Sequence, residues 1–398
     1  RIATETLDFI LGEMSAPQGG FYAAWDADSE GVEGKYYVWS LEEVARVAGP
    51  EAAPLVSAAL GVTREGNFEG ANILTRPRSR SELGAQFQLS PEEVGHILAT
   101  AFGRLSQVRT QRVPPHRDEK VIVAWNGLAI TALAMGAQVL GEPRYYEAAA
   151  RAARFLLGEL LQENTLFRIW TAGRISVPGF SEDYALLANA LLDLYESDFD
   201  PAWVSQARRL MARLEEKFLD PGDGIYFYVD RDQATPLVRS KSLYDQVLPS
   251  GNSMAARVCL RLHRLTEEGK YQERAQTIIR QLQSHAQENP RGFGHLWTVQ
   301  TLALTPPLDL TLVGDPQDAR TQALVQAAYR SYRPERRLVL KNPEDCAGLE
   351  ELMPWTRGYS QPEEEPVAYL CRDFTCLPGI TDPQELAATL SPATEGQA

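Results

Sequence analysis

WNGLAITALAMGAQVL, residues 125–140, is apolar nearly all round and rich in alanine and glycine. A helix of that composition has no polar stripe for water and needs cover on both sides. YYEAAARAARFLLGELL follows at 145–161, with Arg151, Arg154 and Glu159 falling on one polar face. That is the pattern of a surface helix.

The same pairing recurs. DYALLANALLDLY (183–195) precedes WVSQARRLMARLEEKFL (203–219), and 250–265 precedes 271–287. A buried helix followed by an amphipathic one, three times at a period of roughly 60 residues, is a repeat of helical hairpins. Between each outer helix and the next inner one lies a glycine and aromatic connector: Gly19-Gly20-Phe21-Tyr22, Leu166-Phe167-Arg168-Ile169-Trp170, Gly222-Asp223-Gly224-Ile225-Tyr226 and Arg291-Gly292-Phe293-Gly294. Long connectors with short strands suit one mouth of a closed (α/α)6 toroid better than the uniform turns of an open solenoid. The expected fold is mainly α, with residues 1–305 as the toroid region and an insertion at about 30–115, where helices are expected near 41–60 and from 91 to 111. Residues 306–390 read as a small C-terminal α/β unit, with strands at 308–313, 337–340 and 367–371 and a helix at 317–332. Residues 391–398 read as a polar tail.

The chain has 398 residues, 44% hydrophobic and 23% charged, with a net charge of -14. Those fractions exclude disorder, collagen and coiled coil, and the interspersed charges form no basic stripe, so no nucleic-acid partner is expected. No uninterrupted apolar run reaches the roughly 18 residues of a bilayer span, and no membrane association is expected. The four cysteines, Cys259, Cys346, Cys371 and Cys376, are too few for a disulfide scaffold and are expected to be reduced thiols. The C-x4-C of Cys371 and Cys376 lacks partners for a zinc site and departs from the C-x-x-C of disulfide exchange. Asp26-x-Asp28-x-Glu30-Gly31 has the opening rhythm of a calcium loop, but its twelfth position is Tyr37. Val313-Gly314-Asp315-Pro316 lacks the further glycines of a dinucleotide fingerprint. No metal and no cofactor are expected. The chain starts at Arg1, without methionine or signal peptide, and enters helical spacing at once. It is expected to be a segment of a longer, cytoplasmic protein.

Six blocks in order carry a family resemblance: GGFYAAWDADSEGVEGKYYVW (19–39), GNFEGANIL (66–74), DEKVIVAWNGLAITALA (118–134), SEDYALLANALLDLYESDFD (181–200), YDQVLPSGNSMAA (244–256) and VAYLCRDFTC (367–376). Together they resemble the family typified by spermatogenesis-associated protein 20 and the bacterial YyaL proteins. The resemblance implies an N-terminal thioredoxin-like domain followed by an (α/α)6 barrel similar to the six-hairpin glycosidases and the N-acylglucosamine 2-epimerases. This chain resembles the barrel part, incomplete at its N-terminus, and the thioredoxin-like domain becomes an implied partner within the same protein. No established reaction comes with the resemblance.

Inner helices of a toroid point the same way, so their N-termini gather at one mouth, where free N–H groups and dipole ends favour anionic or polyhydroxylated ligands. Near those starts stand Asp118, Glu182, Asp183 and Asp245, the candidate catalytic acids. The candidate substrate-binding residues are Asp26, Asp28, Trp125, Asn126, Tyr184, Tyr244, Ser250, Asn252, His295 and Trp297. Carboxylates bind hydroxyls and move protons while aromatic rings cover sugar C–H faces, so the set points to a sugar or sugar-like ligand. Hydrolysis predicts two carboxyl groups facing across a pocket at roughly 5 to 9.5 Å. Simple capping competes for Ser181, Asp183 and Ser250, and Asn126 and Asn252 would serve equally to tie adjacent inner helices together. His96, His263 and His285 lie within amphipathic helices, which leaves His116 and His295 near the mouth without an obvious facing pair for epimerase chemistry. Ser250 lacks the G-x-S-x-G setting of a nucleophile. Two functions follow: a carbohydrate-active enzyme of hydrolase or epimerase type, or a non-catalytic binding toroid serving the thioredoxin-like domain.

Overall fold

The computed structural model describes residues 1–233, 238–362, 364–372 and 375–391. The expected tail at 391–398 lies, beyond Ser391, outside the described residues. The chain divides into two compact units, Arg1–Ala23 with Glu119–Ala398, and Ala24–Asp118.

In the first unit three hairpins follow one plan. Inner helices Val123–Leu140, Ser181–Asp198 and Gly251–Thr266 each lead into an outer helix, Pro143–Phe155, Pro201–Phe218 and Gly269–Glu288. Each link is two residues long and is built the same way. A left-handed residue (Gly141, Phe199 or Glu267) ends the inner helix, and an acid (Glu142, Asp200 or Glu268) precedes the outer one. So short a link forces the two helices antiparallel. The outer helix Ile2–Phe9 precedes this series and the inner helix Gly294–Leu304 follows it. Each inner helix packs on the next, giving the two-layered, mainly α architecture of the (α/α) toroid plan.

Small residues set the spacing of the inner layer. A Cβ on Gly127 would lie 2.9 Å from the backbone of Leu186, and one on Gly251 would lie 2.6 Å from Ser181 Oγ. Glycine at these two positions lets neighbouring inner helices touch backbone to backbone. Val123–Leu140 is in fact long and apolar enough to cross a membrane by composition, which reading uninterrupted runs alone overlooks. Here it is an inner helix flanked by Pro143–Phe155 and Ser181–Asp198.

The C-terminal strands order as Arg336–Lys341, Leu308–Val313, Val367–Arg372 and Thr375–Cys376; the first pair is parallel and the others antiparallel. The helix expected over 317–332 spans Ala319–Tyr329, and helices Ala347–Leu352 and Pro383–Leu390, which lacked a clear sequence signal, join it. This α/β part closes the C-terminal ends of the inner helices, where Trp355 Nε1 donates to Leu265 O at 2.7 Å and Arg337 Nη1 to Arg264 O at 2.6 Å. Cys371 and Cys376 correct the expectation of free thiols: they face each other in register across two antiparallel strands and form a disulfide. Sequence spacing alone does not show that a strand reverses between them.

The second unit holds helices Leu41–Ala48, Ala53–Leu60, Arg80–Phe87 and Pro91–Thr110 around a core that includes Trp39, Val56, Leu83 and Val94. Three of them start with a reciprocal serine–glutamate capping box, at Ser40/Glu43, Ser79/Glu82 and Ser90/Glu93.

Candidate functional site

The first three outer helices each end in a bridge to the connector: Ser15 to Phe21, Leu161 to Leu166 and Leu219 to Tyr226. A polar residue in the first turn of the following inner helix then holds that connector. Asn126 accepts from Phe21 N at 2.7 Å and donates to Phe21 O at 2.9 Å; Asn252 accepts from Tyr226 N at 2.8 Å and donates to Tyr226 O at 2.9 Å. In the middle repeat the Tyr184 hydroxyl accepts from Leu166 N at 2.9 Å. All three side chains are buried, so these expected ligand contacts are occupied by the repeat's own connectors.

The pair at the start of Ser181–Asp198 divides its work. Asp183 is fully buried; its Oδ1 accepts from Ala124 N at 3.0 Å, and its Oδ2 accepts from Phe180 N at 2.8 Å and from Arg168 Nη1 at 2.9 Å. It joins two inner helix starts. Glu182 also receives Arg168 Nη1, at 2.8 Å, and the Tyr228 hydroxyl at 3.4 Å. Arg168 sits over the Phe180 ring, which packs against Tyr228 at 4.5 Å. Burial pushes the Asp183 carboxyl up to about 6, against the pull of Arg168 and of the Phe180 N–H. Burial opposes the Arg168 charge as well, but the Asp183 and Glu182 carboxylates outweigh it and hold the guanidinium above its ordinary value. The two shifts bear oppositely on one ion pair, and both leave it charged at neutral pH. Burial, then the Glu182 carboxylate, pushes Tyr228 up to about 12, so its hydroxyl stays a donor.

Asp245 performs a similar task between the next two inner helices. Its Oδ1 accepts from Ser250 N at 2.8 Å and Ser253 Oγ at 2.5 Å, and its Oδ2 from His295 N at 2.9 Å and Leu296 N at 3.0 Å. One carboxylate thus serves two helix N-termini. Ser250 is a true cap, its Oγ accepting from Ser253 N at 3.1 Å. Ser181 is not, since Phe180 holds the cap position and the Ser181 Oγ is buried without a hydrogen-bond partner. His295 Nε2 is buried and unpartnered too; burial, then the charge of Arg257, pushes the imidazole down to about 4, with Asp245 pulling the other way.

What remains open is a cavity of about 340 Å³ at this mouth, lined by Glu182, Tyr228, Lys241, Tyr244 and Ser250 among others. The Tyr244 ring lies 5.0 Å from that of Phe293 and is exposed on its free side. Lys241 is anchored by Asp220 at 2.6 Å and Asp223 at 2.5 Å. Of the expected residues, the structure gathers Glu182, Tyr244 and Ser250 here. Trp125 is exposed on its helix, and Trp297 donates Nε1 to Pro290 O at 3.2 Å; neither lines the cavity. Asp26, Asp28 and Asp118 belong to the other compact unit, the first two exposed and the last in a short strand paired with Ala24–Trp25.

Arg168, Tyr228 and Lys241 have no role in the sequence reading. Arg168 had a faint signal: it shares the alternating face of Leu166 and Trp170 in the strand Thr165–Thr171, where a charge needs a partner. Among the described residues, Glu182 is the only carboxylate lining the cavity. The site is equipped to hydrogen-bond hydroxyls and to cover an apolar face, with a single acid.

No family model matches the chain. It is similar to spermatogenesis-associated protein 20 of Homo sapiens, 31% identical over 98% of this chain and 54% of that protein, and to the Rattus norvegicus protein of the same name, 30% identical over 98% and 54%. The chain spans about half the length of the curated relatives it matches. Among solved structures it is similar to a family 76 glycoside hydrolase from a bovine Bacteroides thetaiotaomicron strain, with 13% identity, 70% of this chain and 55% of that one covered and a TM-score of 0.36. It is also similar to a D-mannose isomerase, with 12% identity, 69% and 67% covered and a TM-score of 0.34.

Proposed function

We propose that this homologue of spermatogenesis-associated protein 20 binds a sugar-like ligand at the mouth of its helical hairpins, and that binding, not hydrolysis, is what the site performs. The carrying observation is the cavity of about 340 Å³ that brings Glu182, Tyr228, Tyr244, Lys241 and Ser250 to the N-terminal ends of the inner helices. Tyr244 offers a ring face to sugar C–H groups, while Glu182 accepts and Tyr228 donates hydrogen bonds to hydroxyls. Asp183 and Asp245, the acids best placed by sequence to act as acid and base, are each engaged by three or more donors: two helix-start N–H groups and Arg168 for Asp183, and four groups at helix starts for Asp245. A second carboxyl facing Glu182 across the cavity is what hydrolysis would require. We propose further that this mouth presents its ligand to a thioredoxin-like domain of the kind the family resemblance implies, and that it does so in the cytoplasm.

The test is a panel of neutral mono- and oligosaccharides offered to the 398-residue chain and to Glu182→Gln and Tyr244→Ala variants, with binding and product formation measured separately. Saturable binding, weakened about 10-fold by either substitution and accompanied by no turnover, is the expected result. Turnover that disappears in Glu182→Gln would replace this reading with an enzymatic one. Absence of binding to every sugar would remove the ligand class.

A further inference from the structure

A second cavity, of about 330 Å³, lies at the other end of the inner helices, between their C-terminal halves and the segment from Tyr329 to Arg337. Seven arginines and two acids, Asp193 and Glu196, line it, in a chain whose net charge is -14. Helix C-termini attract arginines to their unpaired carbonyls, a purely structural role.

It accounts for Arg264, which donates to Leu302 O at 2.7 Å and Glu335 O at 3.1 Å, and for Arg336, which donates to Ala328 O. Ion pairs account for three more. Arg261 meets Asp193 at 2.6 Å and Glu196 at 2.8 Å, Arg337 meets Asp309 at 2.8 Å and Glu267 at 3.3 Å, and Arg333 meets Glu335 at 3.5 Å. Arg257 and Arg330 remain. The one side-chain hydrogen bond of Arg257 among the described residues runs from Nε to Asn189 Oδ1 at 3.3 Å, and its two terminal nitrogens have no partner there. Burial, then the Arg261 charge beside it, pulls Arg257 below the ordinary guanidinium value. Arg330 is exposed, and its side chain makes no hydrogen bond or ion pair among the described residues.

Seven guanidiniums therefore stand against five carboxylates, counting Glu267, Asp309 and Glu335 behind the wall, and two positive charges are left over. A phosphate monoester carries about that charge with opposite sign at neutral pH, and the guanidinium fork matches its oxygens. Met135, Val139 and Leu302 give the same cavity an apolar wall, which inorganic phosphate would not use. The volume is at the small end of ligand sites, roughly 300 to 1,000 Å³. We infer that this cavity is a binding site for a small phosphorylated molecule, with Arg257 and Arg330 as its cationic partners. It shares no residue with the mouth and stands independently of the sugar reading.

The experiment titrates the 398-residue chain at low ionic strength with glycerol 3-phosphate, inorganic phosphate, sulfate and glycerol, by calorimetry. Saturable binding of glycerol 3-phosphate is expected, tighter than phosphate or sulfate, with no response to glycerol. Arg257→Gln should weaken it about 10-fold or more, as loss of a charge-assisted hydrogen bond does, and Arg330→Gln by a smaller factor. Folding of both variants is checked by thermal melting; should Arg257→Gln not fold, the exposed Arg330→Gln decides. No saturation at millimolar glycerol 3-phosphate, equal binding of sulfate, or affinity unchanged in the folded variants would overturn the inference.

Discussion

Replacing Asn252 with alanine separates a structural clamp from a ligand contact. The side chain is 1% exposed, accepts from Tyr226 N at 2.8 Å, and donates to Tyr226 O at 2.9 Å and Ser242 O at 3.3 Å. Alanine leaves the Tyr226 N–H without this acceptor in a place water does not reach. An orphaned buried donor costs roughly 1–3 kcal/mol, and each lost bond to a carbonyl about 1 kcal/mol. The total is about 3–5 kcal/mol, a large share of the 5–15 kcal/mol by which domains are typically stable. At about 2 °C per kcal/mol for a unit of this size, the melting temperature should fall by roughly 6–10 °C. Asn252→Asp, which keeps the shape but turns both donors into acceptors facing carbonyls, should be at least as costly. Calorimetric and urea unfolding of the two variants measure the loss, and sugar binding is then read on the folded fraction alone. An alanine variant that melts with the parent while losing its ligand would refute the clamp.

Two further outcomes test the packing and the electrostatics. His295 has its folded pKa depressed from 6.5 to about 4, so the stability it contributes is complete above 6.5 and drains away as pH falls toward 4, by at most about 3 kcal/mol. Asp183, raised from 3.8 to about 6, acts with opposite sign, its folded state gaining as pH falls from 6 to 4. Urea midpoints of His295→Gln should therefore drop less than the parent's between pH 6.5 and 4.5; identical slopes would contradict a neutral, buried imidazole. The same glycine substitution should also have two signs. Gly127→Ala forces a Cβ to 2.9 Å from the Leu186 backbone and should cost about 1–2 kcal/mol after its helix-propensity gain, whereas Gly103→Ala, with open space, should add up to about 1 kcal/mol. Equal effects at the two sites, measured by thermal unfolding, would remove the close-contact argument.

The repeat was legible because it rests on composition and period. An inner helix such as 123–140 must be apolar on both faces, an outer one such as 201–218 on one, and both patterns survive in a single sequence. Boundaries at the hairpin links were legible only to within a few residues, since Phe199 and Glu267 adopt the left-handed conformation that glycine advertises at Gly141 and they do not. The helix Arg80–Phe87 shows no apolar periodicity because it is short and polar, held by its capping box and its neighbours. At the mouth the sequence named Glu182, Tyr244 and Ser250, which line the cavity, but Tyr228 and Lys241 stand in a loop whose path no periodicity reveals. The spacing of Asn126, Tyr184 and Asn252 in successive first turns was readable as recurrence. Its meaning was not, because an amide that clamps a backbone and one that waits for a hydroxyl look alike until the partner's position is known.

Glu182 and Asp183 show how position within a turn decides which acid at a mouth is free. A residue at the third helical position reaches back to the N–H of the cap, and Asp183 does so, taking Phe180 N at 2.8 Å. Its neighbour one position earlier is turned about 100° around the axis and meets the cavity instead. The orphan N–H groups of a helix start must be satisfied whether or not a ligand is present, so they take the nearest carboxylates first. Asp245 goes further and serves two starts at once. Acids gathered before inner helices are thus drawn into holding the hairpins together, and the mouth keeps the one carboxylate whose angle points away from them. With Arg168 at 2.8 Å that carboxylate is already paired, and its remaining lone pairs are what the proposed polyol ligand would use.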